Sequence, residues 1–207
     1  MKEHAGMGAR NEDKKFQALK VRKESHLRTS AAIIHQEPLG NGTSVIFSAD
    51  DNEIRKLISE GQPFLIDENG QPATRSVESE GFKRFTTPFA AIKERLGEDI
   101  FEDFYQRALA LQRTDPGKEL IVVSWGCGQG VELKQMEEEL KNRGIHNVRL
   151  LGFANIYFPS WAQGDSQITW ILDDASRFAE YFKDGEIDLM FSFIGLFHIK
   201  PFGTHRQ

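Results

Sequence analysis

From Lys118 onward the hydrophobic and polar positions follow two alternating periods. Four apolar runs, Leu120 to Ser124, Val148 to Phe153, Ile168 to Leu172 and Ile187 to Phe193, are nearly continuous. Between them, apolar residues recur at three- to four-residue spacing: Leu133, Met136 and Leu140, then Phe178, Tyr181 and Phe182. A short continuous run suits a strand buried on both faces, and the wider spacing suits an amphipathic helix. Gly144 and Gly185 stand where those helices should stop. Parallel strands need crossover connections, so this alternation predicts an α/β fold: a parallel sheet with helices on both faces.

Upstream the pattern is less regular. Ser44-Val45-Ile46-Phe47 reads as a short strand. Residues 48–51 offer caps for a helix with Ile54, Leu57 and Ile58 on one face, stopped by Gly61. Phe64-Leu65-Ile66 followed by Glu68-Asn69-Gly70-Gln71 reads as one arm of a hairpin and its turn. Thr87 before Pro88 predicts an N-cap with proline in the first helical position. Phe89, Ile92 and Leu96 share one helical face, and Phe101, Phe104, Ala108 and Leu111 share the next. Asp115-Pro116-Gly117 marks a boundary. The expected organisation is a basic tail over 1–30, a mostly helical region over 31–117 and an α/β domain over 118–207.

Composition narrows the classes. The chain has 207 residues, 39% hydrophobic and 28% charged, with a net charge of −5. Residues 1–30 hold eight Lys/Arg and four Asp/Glu, a local balance of +4 that reads as a solvated tail. The acidic remainder argues against a nucleic-acid partner. No apolar signal segment opens the chain, and the longest apolar-rich stretch, Leu189 to Phe197, is far short of the ~20 residues a bilayer span needs. One cysteine, Cys127, allows neither an internal disulfide nor a Cys-based zinc cluster. These features predict a cytoplasmic protein that does not enter membranes and carries no metal centre.

The candidate chemistry lies in Gly126-Cys127-Gly128-Gln129-Gly130, between the 120–124 strand and the following helix. A strand that turns through glycines into a helix brings backbone N–H groups and a helix N-terminus toward a ligand. The spacing is GxGxG. A dinucleotide fold wants its third glycine where Val131 stands, which disfavours a nicotinamide enzyme. The stretch from about 118 to 200 resembles the class I S-adenosylmethionine-dependent methyltransferases in motif and in element order.

That resemblance implies a Rossmann-like domain and S-adenosylmethionine as cofactor. It implies that Gly126, Gly128 and Gly130, with Cys127 beside them, pack under the amino-acid part of the cofactor. Cys127 lies near a helix N-terminus, which lowers a thiol's pKa, though filling the loop is its simpler role. Ser124 stands where the family often has an acidic residue, and its hydroxyl can hydrogen-bond the cofactor's ammonium. Ala154 stands where the family has the ribose-binding acid, leaving Asn155 as a one-acceptor substitute. Asp174-Ala175 matches the motif near the adenine, although either Asp173 or Asp174 could simply cap the next helix. Ser192 and Phe193 would border the methyl group, with His198 beyond. Glu137-Glu138-Glu139 reads as a solvated helix face, and Asn41-Gly42-Thr43 carries no glycosylation meaning without a secretory signal.

The family pattern continues past a fourth strand with more than Ile199 to Gln207 can supply, so the sequence reads as truncated there. The exposed sheet edge would then need cover from the N-terminal helices, a second copy or a partner chain. The leading expectation is methyl transfer to an unidentified acceptor. The alternative is a degenerate, non-catalytic methyltransferase-like binding or interaction protein. No catalytic residue is assigned, because in-line attack rests mainly on alignment.

Overall fold

The computed structural model describes residues 35–40, 42–47, 52–73 and 86–192. The basic segment 1–30, the cap candidates 48–51, Asn41, and Phe193 with His198 lie outside the described residues.

The described chain is α/β. A hairpin of β1 (His35–Gly40) and β2 (Thr43–Phe47) leads to α1 (Asn52–Glu60). A small hairpin of β3 (Phe64–Ile66) and β4 (Pro72–Ala73) follows, then α2 (Phe89–Leu96) and α3 (Glu98–Thr114). The remainder runs β5 (Leu120–Trp125), α4 (Val131–Asn142), β6 (Val148–Ala154), β7 (Ile156–Tyr157), β8 (Thr169–Leu172) and β9 (Leu189–Phe191). Two 3₁₀ segments, Pro159–Ala162 and Ala175–Glu180, complete it.

The main sheet has six strands in the order β1-β2-β8-β6-β5-β9. Every neighbouring pair is parallel except β1 with β2. A three-stranded antiparallel sheet, β4-β3-β7, lies apart from it in pairing. The hairpin expected around residues 64–71 is present. Asp67 accepts from the N–H groups of Asn69 and Gln71 at 2.8 Å each, and Gly70 takes φ of 77°.

Side chains alternate across the sheet, as the pleat requires. On one face Val122, Leu150, Trp170, Leu172 and Phe191 pack with Leu133, Met136 and Leu140 of α4. On the other, Val123, Leu151, Phe153 and Ile171 pack with Phe178, Tyr181, Phe182 and Ile187. The element carrying Phe178 was expected to be an α-helix. It is a six-residue 3₁₀ segment held onto this face by aromatic contacts, Phe153–Phe178 at 5.0 Å among them.

The described part of 31–117 carries more helix than strand, in α1, α2 and α3. It also contributes four strands, and β2 enters the main sheet, pairing Ser44 with Thr169, Val45 with Trp170 and Ile46 with Ile171. The sheet therefore runs across the boundary expected near residue 117. An isolated apolar tetrapeptide does not reveal which strand it will pair with.

α2 and α3 pack on the α4 face. Phe89 and Phe101 meet edge to face at 5.0 Å, and Phe101 meets Phe191 of β9 at 5.8 Å. These helices thus cover Phe191 of β9, while Met190 is exposed. The N-terminal cap of α2 differs from expectation. The helix begins after Pro88, and no side chain of its own segment caps it. Gln135 of α4 accepts from the Phe89 N–H at 2.7 Å instead. Leu96, at the end of α2, is 40% exposed and does not join the core with Phe89 and Ile92.

Candidate functional site at the carboxyl edge of the sheet

The order of the sheet fixes where a site should form. From β5 the chain builds outward through β6 and β8, then crosses back to place β9 on the other side of β5. Connections leave in opposite directions on either side of that point. The carboxyl ends of the strands at such a point are the usual ligand position in open α/β sheets. Ser124 of β5 pairs with Phe191 of β9, so the loop after Trp125 and residue Ser192 flank this switch point.

The glycine loop fills the step from β5 to α4. Gly126, Gly128 and Gly130 have φ of 72°, 52° and 72°, a region that side chains penalise. The loop is anchored on the sheet. Gly126 and Cys127 donate N–H bonds to the Phe153 carbonyl at 2.8 and 3.3 Å. Its carbonyls are held from outside: the Trp161 indole donates to Gly128 O at 2.9 Å and the Ser160 hydroxyl to Gln129 O at 3.1 Å. Across a trans peptide the C=O and the next N–H point in opposite directions. Fixing Gly128 O on Trp161 therefore turns the Gln129 N–H away from that indole. Lys134 secures the outer support by donating to the carbonyls of Ser160 and Gln163 at 2.5 and 2.7 Å.

Under the loop lies a tryptophan stack. Trp161 and Trp170 are both fully buried and stack at 4.9 Å with 7° between planes. The Trp170 ring crosses Gly152, its partner on β6, and reaches Gly130. A Cβ on either glycine would overlap that ring, and one on Gly152 would also approach the Cys127 sulfur to 3.0 Å. Gly130 is thus required twice, by its φ and by Trp170. The Gly152 requirement comes only from its neighbour.

Ser124 does not face solvent. It is buried, and its hydroxyl donates to Oε1 of Glu132 at 2.8 Å. Glu132, in the first turn of α4, is 4% exposed and has no ion-pair partner among the described residues. Burial pushes its carboxyl up to about 7, opposed by its own N–H and by Ser124. The sequence reading missed this residue. The signal was there: Glu132, Met136 and Leu140 lie at four-residue spacing, on the stripe that α4 buries.

Cys127 fills the loop, the simpler role, but its thiol differs from expectation in one respect. The helix N-terminus was expected to lower its pKa, but the thiol is buried and held well above its ordinary value, first by desolvation and then by the charge of Glu132. It fills the loop from within and is no nucleophile in this form.

The remaining candidates divide. Ala154 is buried at the end of β6, and the Asn155 carbonyl is engaged by the Ile66 N–H at 2.7 Å. Asp174 caps the 3₁₀ segment that Ala175 opens, accepting from the Ser176 N–H at 2.9 Å and its hydroxyl at 2.6 Å. Asp173, unmatched to any motif in the sequence, is the buried carboxylate of this edge. It accepts from the Tyr181 hydroxyl and from the Asp174 N–H and lies 3.5 Å from Arg177. At the end of β9 the Ser192 Oγ is buried and has no hydrogen-bond partner among the described residues.

Glu137 and Glu139 are not a solvated face. Glu137 accepts from the Gln167 N–H at 2.7 Å, and Glu139 pairs with Lys93 at 2.9 Å and Arg143 at 3.2 Å; Glu138 alone of the three is exposed. Lys93, Arg143, Glu139 and Glu102 line a concavity of about 200 Å³ between α2, α3 and α4. Its cations are already paired, Arg143 also with Glu102 at 2.7 Å, so it reads as an inter-helix ion-pair network.

Among the described residues no His, Cys, Asp or Glu cluster is arranged to hold a metal ion, and no helix is long and apolar enough to cross a membrane. Family models, curated proteins and solved structures were all compared with the chain, and none of them matches it.

Proposed function

We propose that the carboxyl edge of the sheet is a Rossmann-like S-adenosylmethionine site and that the chain transfers the cofactor's methyl group to an acceptor. One observation carries the reading: the GxGxG loop stands at the topological switch between β5 and β9, in the strand order β8-β6-β5-β9.

The residues present suit such a ligand. Left-handed glycines let backbone approach it closely, and the Gln129 N–H, turned away from the Trp161 indole, offers a donor. Ser124, Gly126, Cys127, Gly128 and Gly130 would frame its amino-acid part. Asn155, with Asp174 and Ala175, would border the nucleoside. The Ser192 Oγ, which has no partner among the described residues, offers a polar contact on the β9 side. When bound, the cofactor would supply an electrophilic methyl carbon on a sulfonium. The protein's own part is to hold and align the reactants and to keep water out, and the buried stack of Trp161 and Trp170 supports the loop that would do so.

A second reading, binding without turnover, draws on two observations. Ala154 offers no carboxylate for ribose hydroxyls, and Asp174 is already engaged as a cap. Methyl-transfer assays separate the two.

Calorimetry with S-adenosylmethionine and with its demethylated product at millimolar concentration tests the site. Binding heat and a thermal upshift are expected. Gly128→Val should abolish both while leaving the far-UV circular dichroism in place. Absence of heat and of any shift with both ligands would sink the reading.

A further inference from the structure

Glu132 is a buried carboxylate with no cation paired to it among the described residues. A charge removed from water needs compensation, and proteins normally give it a partner of opposite sign. Here the groups that face it are few. Ser124 from β5 gives one hydroxyl, and Cys127 from the loop is the titratable side chain coupled to it. No Lys, Arg or His among the described residues pairs with it. Its place is equally specific. It follows the last glycine of the loop by two residues and bonds the final strand-face hydroxyl of β5, beside the switch point.

We infer that Glu132 is the counter-charge for an ammonium group of the ligand, supplied from the first turn of α4, with Ser124 orienting the carboxylate. This rests on the cofactor reading above and extends it by naming the group that recognises the amine and the proton that must leave. A protonated carboxyl cannot pair with an ammonium, so binding expels the proton that Glu132 holds in the free protein. With the carboxyl half-ionised at about 7, the ionised fraction rises roughly tenfold between pH 6 and pH 8. The affinity for an amine-bearing ligand rises with it.

The test uses two nucleoside probes on the full chain. S-adenosylhomocysteine carries the ammonium; 5′-methylthioadenosine keeps the nucleoside and thioether but lacks the amino-acid part. Titration calorimetry in buffers of different ionisation enthalpy counts protons released. The wild type should bind S-adenosylhomocysteine about tenfold more tightly at pH 8 than at pH 6, releasing close to one proton at pH 6. Glu132→Gln keeps the shape and the bond to Ser124. It should bind that probe at least tenfold more weakly at pH 8, without the pH dependence, and bind methylthioadenosine as the wild type does.

Equal affinity of variant and wild type for S-adenosylhomocysteine, with no proton release, would overturn the role of Glu132 and leave the cofactor site standing. Equal weakening of both probes would assign Glu132 to loop structure and overturn the role as well. Failure of both probes to bind the wild type would remove the cofactor reading and this inference together. The proton count in the wild type decides the matter even if the variant folds poorly.

Discussion

A carboxyl group whose pKa is higher in the folded state than in the unfolded one binds its proton more tightly when folded. Glu132 is such a group, raised by burial from 4.5 to about 7. Its stabilising contribution is fully present below pH 4.5 and is lost as pH rises through 7. The loss amounts to about 3 kcal/mol over that window. Urea denaturation at pH 5 and pH 8 should therefore show Glu132→Gln gaining on the wild type by this order as pH rises. Equal pH dependence in both proteins would mean that the carboxylate is solvated. A second residue-scale prediction concerns Gly152, whose missing side chain makes room for Trp170. Gly152→Ala should destabilise by about 2 kcal/mol through overpacking. Trp170→Leu costs stability alone by leaving a void, but in combination it should relieve the overlap. A double-mutant cycle should then show coupling above ~0.5 kcal/mol, the level expected for residues in contact. Neither effect was legible in the sequence, because each depends on a neighbour many positions away.

At the scale of elements, the start of α2 depends on α4. Gln135 accepts from the Phe89 N–H, while Thr87 makes no side-chain cap. Gln135→Ala should cost about 1 kcal/mol and Thr87→Ala only a few tenths, measured by thermal or urea melting. The reverse ranking would restore the local cap. The elements themselves were largely legible. The runs at 120–124, 148–153 and 168–172, and the stripe of Leu133, Met136 and Leu140, became strands and a helix close to where their periods put them. The 3₁₀ segment Ala175–Glu180 was not foreseen, because its aromatic spacing also fits an α-helix. The start of β9 is held by distant groups. Asp188 Oδ2 accepts from the Ile121 N–H at 3.0 Å while its Oδ1 takes Arg107 at 2.6 Å.

Across the whole molecule, the described regions before and after residue 117 share one sheet and one core. β2 covers the β8 side of the parallel sheet, and Phe89 and Phe101 cover Phe191. A fragment of residues 118–207 loses both. It should show no cooperative thermal transition, whereas the full chain should unfold in one step by circular dichroism and by tryptophan fluorescence. A folded, cooperative fragment would restore the boundary at 117. In hydrogen exchange, the amides of β2 and β8 should open together for the same reason.

The sequence alone determined what neighbouring residues decide. Glycines at Gly126, Gly128 and Gly130 announce positive φ, because side chains clash with the backbone there whatever surrounds them. Apolar periods of two kinds announce strands and helices, because each period matches one backbone geometry. Only the tertiary structure decided the rest. It placed β2 beside β8, put Trp170 beneath the loop, gave the α2 cap to Gln135 and enclosed Glu132 with Ser124. Each is a contact between residues distant in the chain, where burial and partner, not local preference, set the energy.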